Sequence, residues 1–349
     1  MINHAALLAH DILSRSERLL GIEHVHGPQS VLLGEDDVVL VCLLRDGAPY
    51  IEPFLRHHFA LGVRHVALLD NNSTDDSIER AARFDNVTIL KSARPYKYAR
   101  YLFKDYLVRR FGGTAWSLCV DIDEFFDYPW SEKIPLNALT AYLNRHSYTA
   151  VVCQLLDRLP LELREDVDWT FSPDDYPFYD TNHIRRERLP RGKGCVISNP
   201  GILAHWGGAR GHRFSLPDIC LTKHSLLKTS GRSRRDNNNH WAVNARVADF
   251  STVLMHYKFT PGVFDLVRKA VREKQYYRGS VEYQAYMRRM TEARLDFREQ
   301  CTSSFESVRD LLENGFLAAS DQYRAWAESQ GRMERADTRA PGSRRTEEK

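Results

Sequence analysis

Residues Val38-Val39-Leu40-Val41-Cys42-Leu43-Leu44 form an unbroken apolar run. The run has the length of a strand. With no polar residue at alternate positions it has to be buried on both faces, the condition of a strand inside a parallel sheet. A parallel neighbour needs a crossover, and the next segment supplies one: Ile51, Phe54, Leu55, His58 and Phe59 follow helical spacing, and Gly62 provides a stop. Val63 to Leu69 reads as the following strand, so the stretch predicts a right-handed βαβ unit. The alternation continues with a short helix over 75–84, a strand over 87–90, a helix over 98–111 ended by Gly112-Gly113, and a strand over 115–120. Strands alternating with helices in this way predict an open α/β sheet.

Residues 1–35 carry apolar spacing at Leu7, Leu8, Ile12, Leu13, Leu19 and Leu20, which predicts a helical extension packed on this domain. Past residue 130 the pattern weakens: 136–143 reads as a helix and 151–155 as a strand, while 157–215 is rich in Pro, Gly, Arg and Asp and shows no clear period. Helical patterns return at 263–277, 280–298, 303–312 and 317–329. The expected division is a helical extension over 1–35, a main domain over 36–260, a helical segment over 261–330 and a polar, disordered tail over 331–349.

Forty-nine Lys and Arg against 46 Asp and Glu leave a net charge of +3, too little to argue for nucleic acid as a partner. No stretch approaches the roughly 20 apolar residues that cross a bilayer. The opening Met1-Ile2-Asn3-His4 has no basic region leading into an apolar one, so the expected location is cytoplasmic. The six cysteines form no C-x-x-C pair, which argues against a zinc ribbon and a disulfide framework and for reduced thiols.

In an open α/β sheet ligands bind outside the carboxyl ends of the strands. Two polar segments occupy such positions. Asp70-Asn71-Asn72-Ser73-Thr74-Asp75 follows the second strand, where short side chains can present acceptors to a base or ribose; the same residues serve equally well as an ordinary helix cap. Asp121-Ile122-Asp123-Glu124 follows the strand at 115–120. Carboxylates two residues apart at a buried strand end suit a hard ion such as Mn²⁺ or Mg²⁺, whose other positions take diphosphate oxygens. Three acids in four residues repel one another, so a purely structural role needs compensating cations nearby. The same strand-plus-D-x-D pattern opens haloacid-dehalogenase-like phosphatases, with Asp121 as nucleophile and Asp174-Asp175 as the later acidic pair. Phe125 stands where those enzymes usually carry Thr or Val, and two βα units precede the motif.

Together these loops resemble glycosyltransferase family 2, of GT-A fold. Arg45-Asp46-Gly47, Glu52 with His57-His58, Val120 to Phe126 as V-D-I-D-E-F-F, Gly207-Gly208-Ala209-Arg210, Leu221-Thr222-Lys223 and His256-Tyr257-Lys258-Phe259 are similar to a bacterial subgroup ending in H-[YF]-K-F. The resemblance spans roughly residues 36–290 and implies a Rossmann-like mixed sheet with helices on both faces and a helical C-terminal segment. It implies a metal-dependent transfer of one sugar, with inversion, from a nucleotide-diphosphate donor, expected to be a UDP-sugar. The acceptor is a glycan or lipid-linked hydroxyl in surface polysaccharide or lipopolysaccharide synthesis.

On that resemblance Asp46, Asp70, Asn71, Asn72 and Asp75 contact the nucleotide, and Asp121 and Asp123 reach ribose and metal with His256 as the third ligand. Lys258 faces the diphosphate. Lys97 and Arg100, near a predicted helix start, are candidate diphosphate contacts, and Trp206 and Arg210 candidates for the acceptor side. The base is open among Asp157, Asp174, Asp175, Asp180 and Asp218, with Asp218 and Asp180 put first. The cationic C-terminal helices, including Arg268, Lys269 and Arg272, either touch the inner membrane surface or cover the sheet edge. A sugar-nucleotide-binding protein without turnover is the non-enzymatic alternative.

Overall fold

The computed structural model describes residues 4–163, 165, 170–190, 194–229, 233–236, 240–292, 297 and 303–337. In its first half α1 (His4–Leu20) and β1 (Glu23–His26) precede β2 (Val38–Leu44), α2 (Ala48–Leu61), β3 (His65–Asp70), α3 (Ser77–Ala81), β4 (Val87–Lys91), α4 (Tyr96–Phe111), β5 (Trp116–Cys119), β6 (Glu124–Asp127), α5 (Leu136–Arg145) and β7 (Ala150–Asp157). The middle of the chain contributes β8 (Phe178–Tyr179), β9 (Ile184–Arg188), β10 (Val196–Ile197), β11 (Leu203–Gly207) and α6 (Gly208–Arg213). Then come β12 (Thr222–Leu227), β13 (Arg234–Arg235), β14 (Ala242–Val243), β15 (Arg246–His256), α7 (Val263–Glu273), α8 (Tyr277–Glu292), β16 (Ser303–Ser304), α9 (Val308–Glu313) and α10 (Asp321–Asp337).

The central sheet runs β1-β4-β3-β2-β5-β12-β7-β15-β10, with β6 alongside β15. β2 pairs in parallel with β3 on one side and β5 on the other, so chain order reverses at β2. β12 runs antiparallel to both β5 and β7, which makes β7 parallel to β5, and β15 is parallel to β7. The carboxyl ends of β2, β3, β5, β7 and β15 therefore share one edge, where the amino end of β12 also arrives. This is the edge where the crevice of an open sheet forms.

β2 is buried at every position, as its composition requires, and its side chains divide between two cores. Val39, Val41 and Leu43 pack with Phe103 and Leu107 of α4. Leu40, Cys42 and Leu44 pack with Ile51, Phe54 and Leu55 of α2 and Leu139 of α5. Helices thus cover both faces, and the expected mixed α/β sheet is present. Gly62 ends α2 in the left-handed region at φ 105°, a conformation glycine adopts without a Cβ clash.

Three expectations change, and one stretch left open by the sequence is filled in. The first 35 residues are not helical throughout, because β1 adds an antiparallel edge strand to β4. The described residues of 157–215, a region with no sequence period, include the four short strands β8 to β11 and the helix α6, joined by irregular segments. α10 continues through Asp337, past the expected start of the tail; residues 338–349 lie outside the described residues. In the C-terminal segment Arg278, Gly279 and Ser280 are left-handed, so regular helix begins after them. Among the described residues no helix is long and apolar enough to cross a membrane, and the five described cysteines are free thiols.

His65, buried in β3, gives a test of this packing. The Thr88 hydroxyl donates to the Pro28 carbonyl at 2.7 Å and so accepts from His65 Nε2, 2.9 Å away. Burial lowers the imidazole from 6.5 to about 4. Between those values the unfolded chain binds a proton that the folded chain does not, so stability rises with pH across that window. Acidification from pH 7 to 4 is expected to cost on the order of 3 kcal/mol through this residue. In urea titrations His65→Gln should lose correspondingly less on acidification than wild type; equal losses contradict the assignment.

Candidate active site at the carboxyl ends of the strands

A cleft of about 810 Å³ opens over this edge, lined by residues from α4, the β5–β6 turn, the loop before β12, the ends of β12 and β15, and α8. Its floor is the acidic turn. Asp121 N–H donates to Glu124 Oε2 at 3.1 Å and Glu124 N–H to the Asp121 carbonyl at 3.0 Å, which folds Asp121-Ile122-Asp123-Glu124 tightly back into β6. β6 then runs antiparallel to the end of β15 with Glu124 opposite His256, and Tyr257 N–H donates to the Asp123 carbonyl at 2.9 Å. Sequence-distant residues meet because the strand register places them together.

His256 also lies in register with Asp157 of β7. Its Nδ1 is 2.7 Å from Asp157 Oδ1, and its Nε2 is 3.4 Å from Asp123 Oδ2. Burial and Arg210 oppose protonation of the ring, but Asp123 and Asp157 outweigh them and raise its pKa. Arg210 reaches Asp157 at 2.9 Å and Glu282 of α8 at 3.2 Å. Burial works to raise the Asp157 carboxyl, and Arg210 and His256 hold it below the usual range. Arg210 is aimed by Gly207 and Gly208, left-handed at φ 83° and 64°; a Cβ on Gly208 would meet Leu221 Cδ1 at 2.8 Å.

Asp121 is held differently. Lys104 of α4 donates to its Oδ1 at 2.8 Å and Lys223 of β12 to its Oδ2 at 3.2 Å, and Lys223 also binds Glu124. Burial pushes the Asp121 carboxyl up, but the two ammonium groups outweigh it and hold it well below the ordinary range. Asp123 is likewise lowered, against burial, by His256 and Lys258. The Lys258 ammonium lies 3.9 Å from Asp123 and 2.9 Å from the Tyr283 hydroxyl.

These contacts test the expected metal set. Asp123 and His256 fit one divalent cation: a carboxylate oxygen and a ring nitrogen face each other, and the second ring nitrogen is oriented by a carboxylate, the usual support of a metal-binding histidine. Asp121 does not fit as third ligand, since both of its oxygens are engaged by ammonium groups. No cluster of three or more His, Cys, Asp or Glu suited to a metal occurs among the described residues. The same two ion pairs give Asp121 the surroundings of an anchored charge rather than those of a nucleophile kept free for attack.

The other expected residues separate into two groups. Arg100, Trp206, Arg210, Asp218 and Lys258 line the cleft with Asp121, Asp123 and His256. Asp46, Asp70, Asn71, Asn72, Asp75 and Lys97 do not. Two of these stitch the loops after β2 and β3 together, Asp46 accepting from Thr74 N–H at 2.8 Å and Asp75 from Ala48 N–H at 2.9 Å, while Asp70 accepts from Ser73 N–H at 3.0 Å within its own loop. Asn71 donates to the carbonyls of Ser92 and Arg94, and Asn72 turns the chain in the left-handed region at φ 63°. α7 reaches these loops through Lys269, 2.5 Å from Asp46, and Glu273, 3.4 Å from Arg45. Lys97 is exposed, beside the ring of Tyr98.

Of the two leading base candidates, Asp180 does not line the cleft. Its carboxylate is buried and accepts from Asn182 N–H at 2.8 Å, with His183 Nδ1 at 2.5 Å, so it has no route to an acceptor. Asp218 lines the cleft, is 81% exposed and pairs with Arg185 at 3.2 Å. Lys104, Glu282 and the pairing of Lys223 with the acidic turn escaped the sequence reading. One signal was available for Lys104: Tyr96, Arg100 and Lys104 recur every four residues, the spacing of one helix face, and all three line the cleft.

No family model matches the chain, and no curated protein does. Among solved structures the chain is similar to Staphylococcus aureus TarS 1–349, at 12% identity over 73% of this chain and 72% of that one, with a TM-score of 0.34. It is similar to the same protein in complex with UDP at 14% identity and a TM-score of 0.26, spanning 42% of each chain. A UDP-glucose pyrophosphorylase complexed with UDP-glucose matches at 9% identity over 74% of this chain and 88% of that one, with a TM-score of 0.24. With TM-scores this low, what the cleft binds has to be derived from its own side chains.

Proposed function

We propose that the protein is a glycosyltransferase that moves one sugar from a nucleoside-diphosphate donor, a UDP-sugar, to an acceptor hydroxyl with inversion. The observation that carries this reading is the acidic D-x-D-E turn at the carboxyl end of β5, beside the chain-order reversal at β2 and facing a cleft lined with Lys and Arg. Such a cleft suits a ligand with a polyanionic middle and polar ends. Trp206, in the cleft wall, offers an aromatic face to a sugar ring.

In the transfer, the acceptor oxygen bonds to the anomeric carbon while the bond from that carbon to the diphosphate oxygen breaks, its electron pair staying on the diphosphate. Asp218 takes the acceptor proton as general base. Arg100 and Lys258 are the side chains that orient the donor, and Arg210, anchored on Asp157 and Glu282, lies on the acceptor side. Mn²⁺ or Mg²⁺, held by Asp123 and His256, would supply positive charge for the leaving diphosphate. Inversion follows from attack opposite the departing group.

Asp218 gives the test. Asp218→Asn is expected to bind UDP as wild type does while slowing UDP release from UDP-sugars by about 100-fold or more, the usual scale of a general base. Coupled detection of released UDP, with and without a panel of sugar acceptors, reads this. An unchanged release rate removes Asp218 from the role; no release from any sugar nucleotide by wild-type protein overturns the transferase reading.

A further inference from the structure

Lys104 and Lys223 bring ammonium groups from α4 and β12 onto one carboxylate at the cleft floor. Lys104 is 9% and Lys223 14% exposed, and both line the cleft. With Asp121 and Glu124 they form a group of four charges whose sum is zero. Stability alone gives little reason for it, because a buried ion pair roughly breaks even against apolar residues of the same size. Each ammonium carries three donors. Lys104 has one hydrogen-bond partner among the described residues and Lys223 two, so both retain donors beside the cleft.

We infer that Lys104 and Lys223 are the diphosphate-binding groups of this site, an inference that rests on the transferase reading above. The acidic turn then divides its work. Asp123 and His256 form the cation side, and Asp121 with Glu124 hold two ammonium groups ready for the non-bridging phosphate oxygens. When the bond to the anomeric carbon breaks, the electron pair left on the diphosphate lies beside these fixed positive charges and not against a bare carboxylate.

The test is calorimetric titration of the full chain with UDP and with inorganic pyrophosphate, in EDTA to remove metal bridging. Lys223→Met is expected to weaken both by about 10- to 100-fold, the scale of one hydrogen bond to a charged group. Because Lys223→Met also strands the buried Glu124, the deciding variant is the double substitution Lys223→Met with Glu124→Gln, which removes one charge of each sign. It should recover thermal stability without recovering affinity. A double variant that binds UDP as wild type does overturns the inference and leaves Lys223 as a counter-charge for Glu124. Wild-type binding of pyrophosphate but not of UDP, with Mn²⁺ as well as in EDTA, keeps the anion site and overturns the transferase reading; binding of neither in EDTA overturns the inference, and UDP binding restored by Mn²⁺ leaves the transferase reading standing.

Discussion

Asp157→Ala is expected to destabilise the protein by about 3–5 kcal/mol, the cost of removing one partner from a buried ion pair. The side chains of Asp157 and Arg210 are 3% and 7% exposed, so neither charge falls back on water. The substitution leaves the Arg210 guanidinium with Glu282 as its carboxylate and takes from His256 Nδ1 its carboxylate partner. A loss of that size is a large share of the roughly 5–15 kcal/mol that separates folded from unfolded protein. Asp157→Asn keeps an acceptor while removing the charge and should lose less. Urea denaturation of the variants reads both effects. A midpoint for Asp157→Ala within experimental error of wild type contradicts the ion-pair account of this layer.

Asp123→Ala acts on binding. Its carboxyl is held below the ordinary range because His256 and Lys258 overcome the effect of burial. Removing it takes the nearby carboxylate from Lys258 and removes half of the proposed cation site. The expected result is loss of metal-dependent stabilisation by UDP and a fall in transfer rate of about 10²–10³, the scale reported by removal of one preorganised charge-stabilising group. Thermal-shift measurements with and without Mn²⁺ check the first part. If Asp123→Ala responds to UDP and Mn²⁺ as wild type does, the metal is not held there.

The sheet was legible where the sequence was monotonous. The apolar run of β2 could be buried only between neighbours on both sides, and Gly62 marked the end of α2. β1 escaped because Glu23-His24-Val25-His26 is an exposed edge with little apolar signal. The region from 157 to 215 escaped because strands of two to five residues have too few positions to show a period. At the site, carboxylates directly after buried strands could be found from position alone, so Asp121 and Asp123 stood out. Their partners could not: Lys104 and Lys223 look like any surface lysine until β12 is placed between β5 and β7. The loop after β3 shows the opposite error. Asp70, Asn71 and Asp75 have the residue types of a nucleotide contact, yet they bond to backbone: Asp70 within its own loop, Asn71 to the segment after β4 and Asp75 to the start of α2. Asp180 was a plausible base by its place in the chain, and its hydrogen bonds with Asn182 and His183 give it a structural one.

The most direct test of the central claim is calorimetric titration of wild-type protein with UDP, GDP, CDP, dTDP and CMP, each with and without Mn²⁺. The account predicts that UDP binds more tightly than the other four, that Mn²⁺ strengthens its binding, and that Asp123→Ala loses this strengthening. Absence of binding by every nucleotide, with or without Mn²⁺, would contradict a nucleotide-sugar transferase at this cleft.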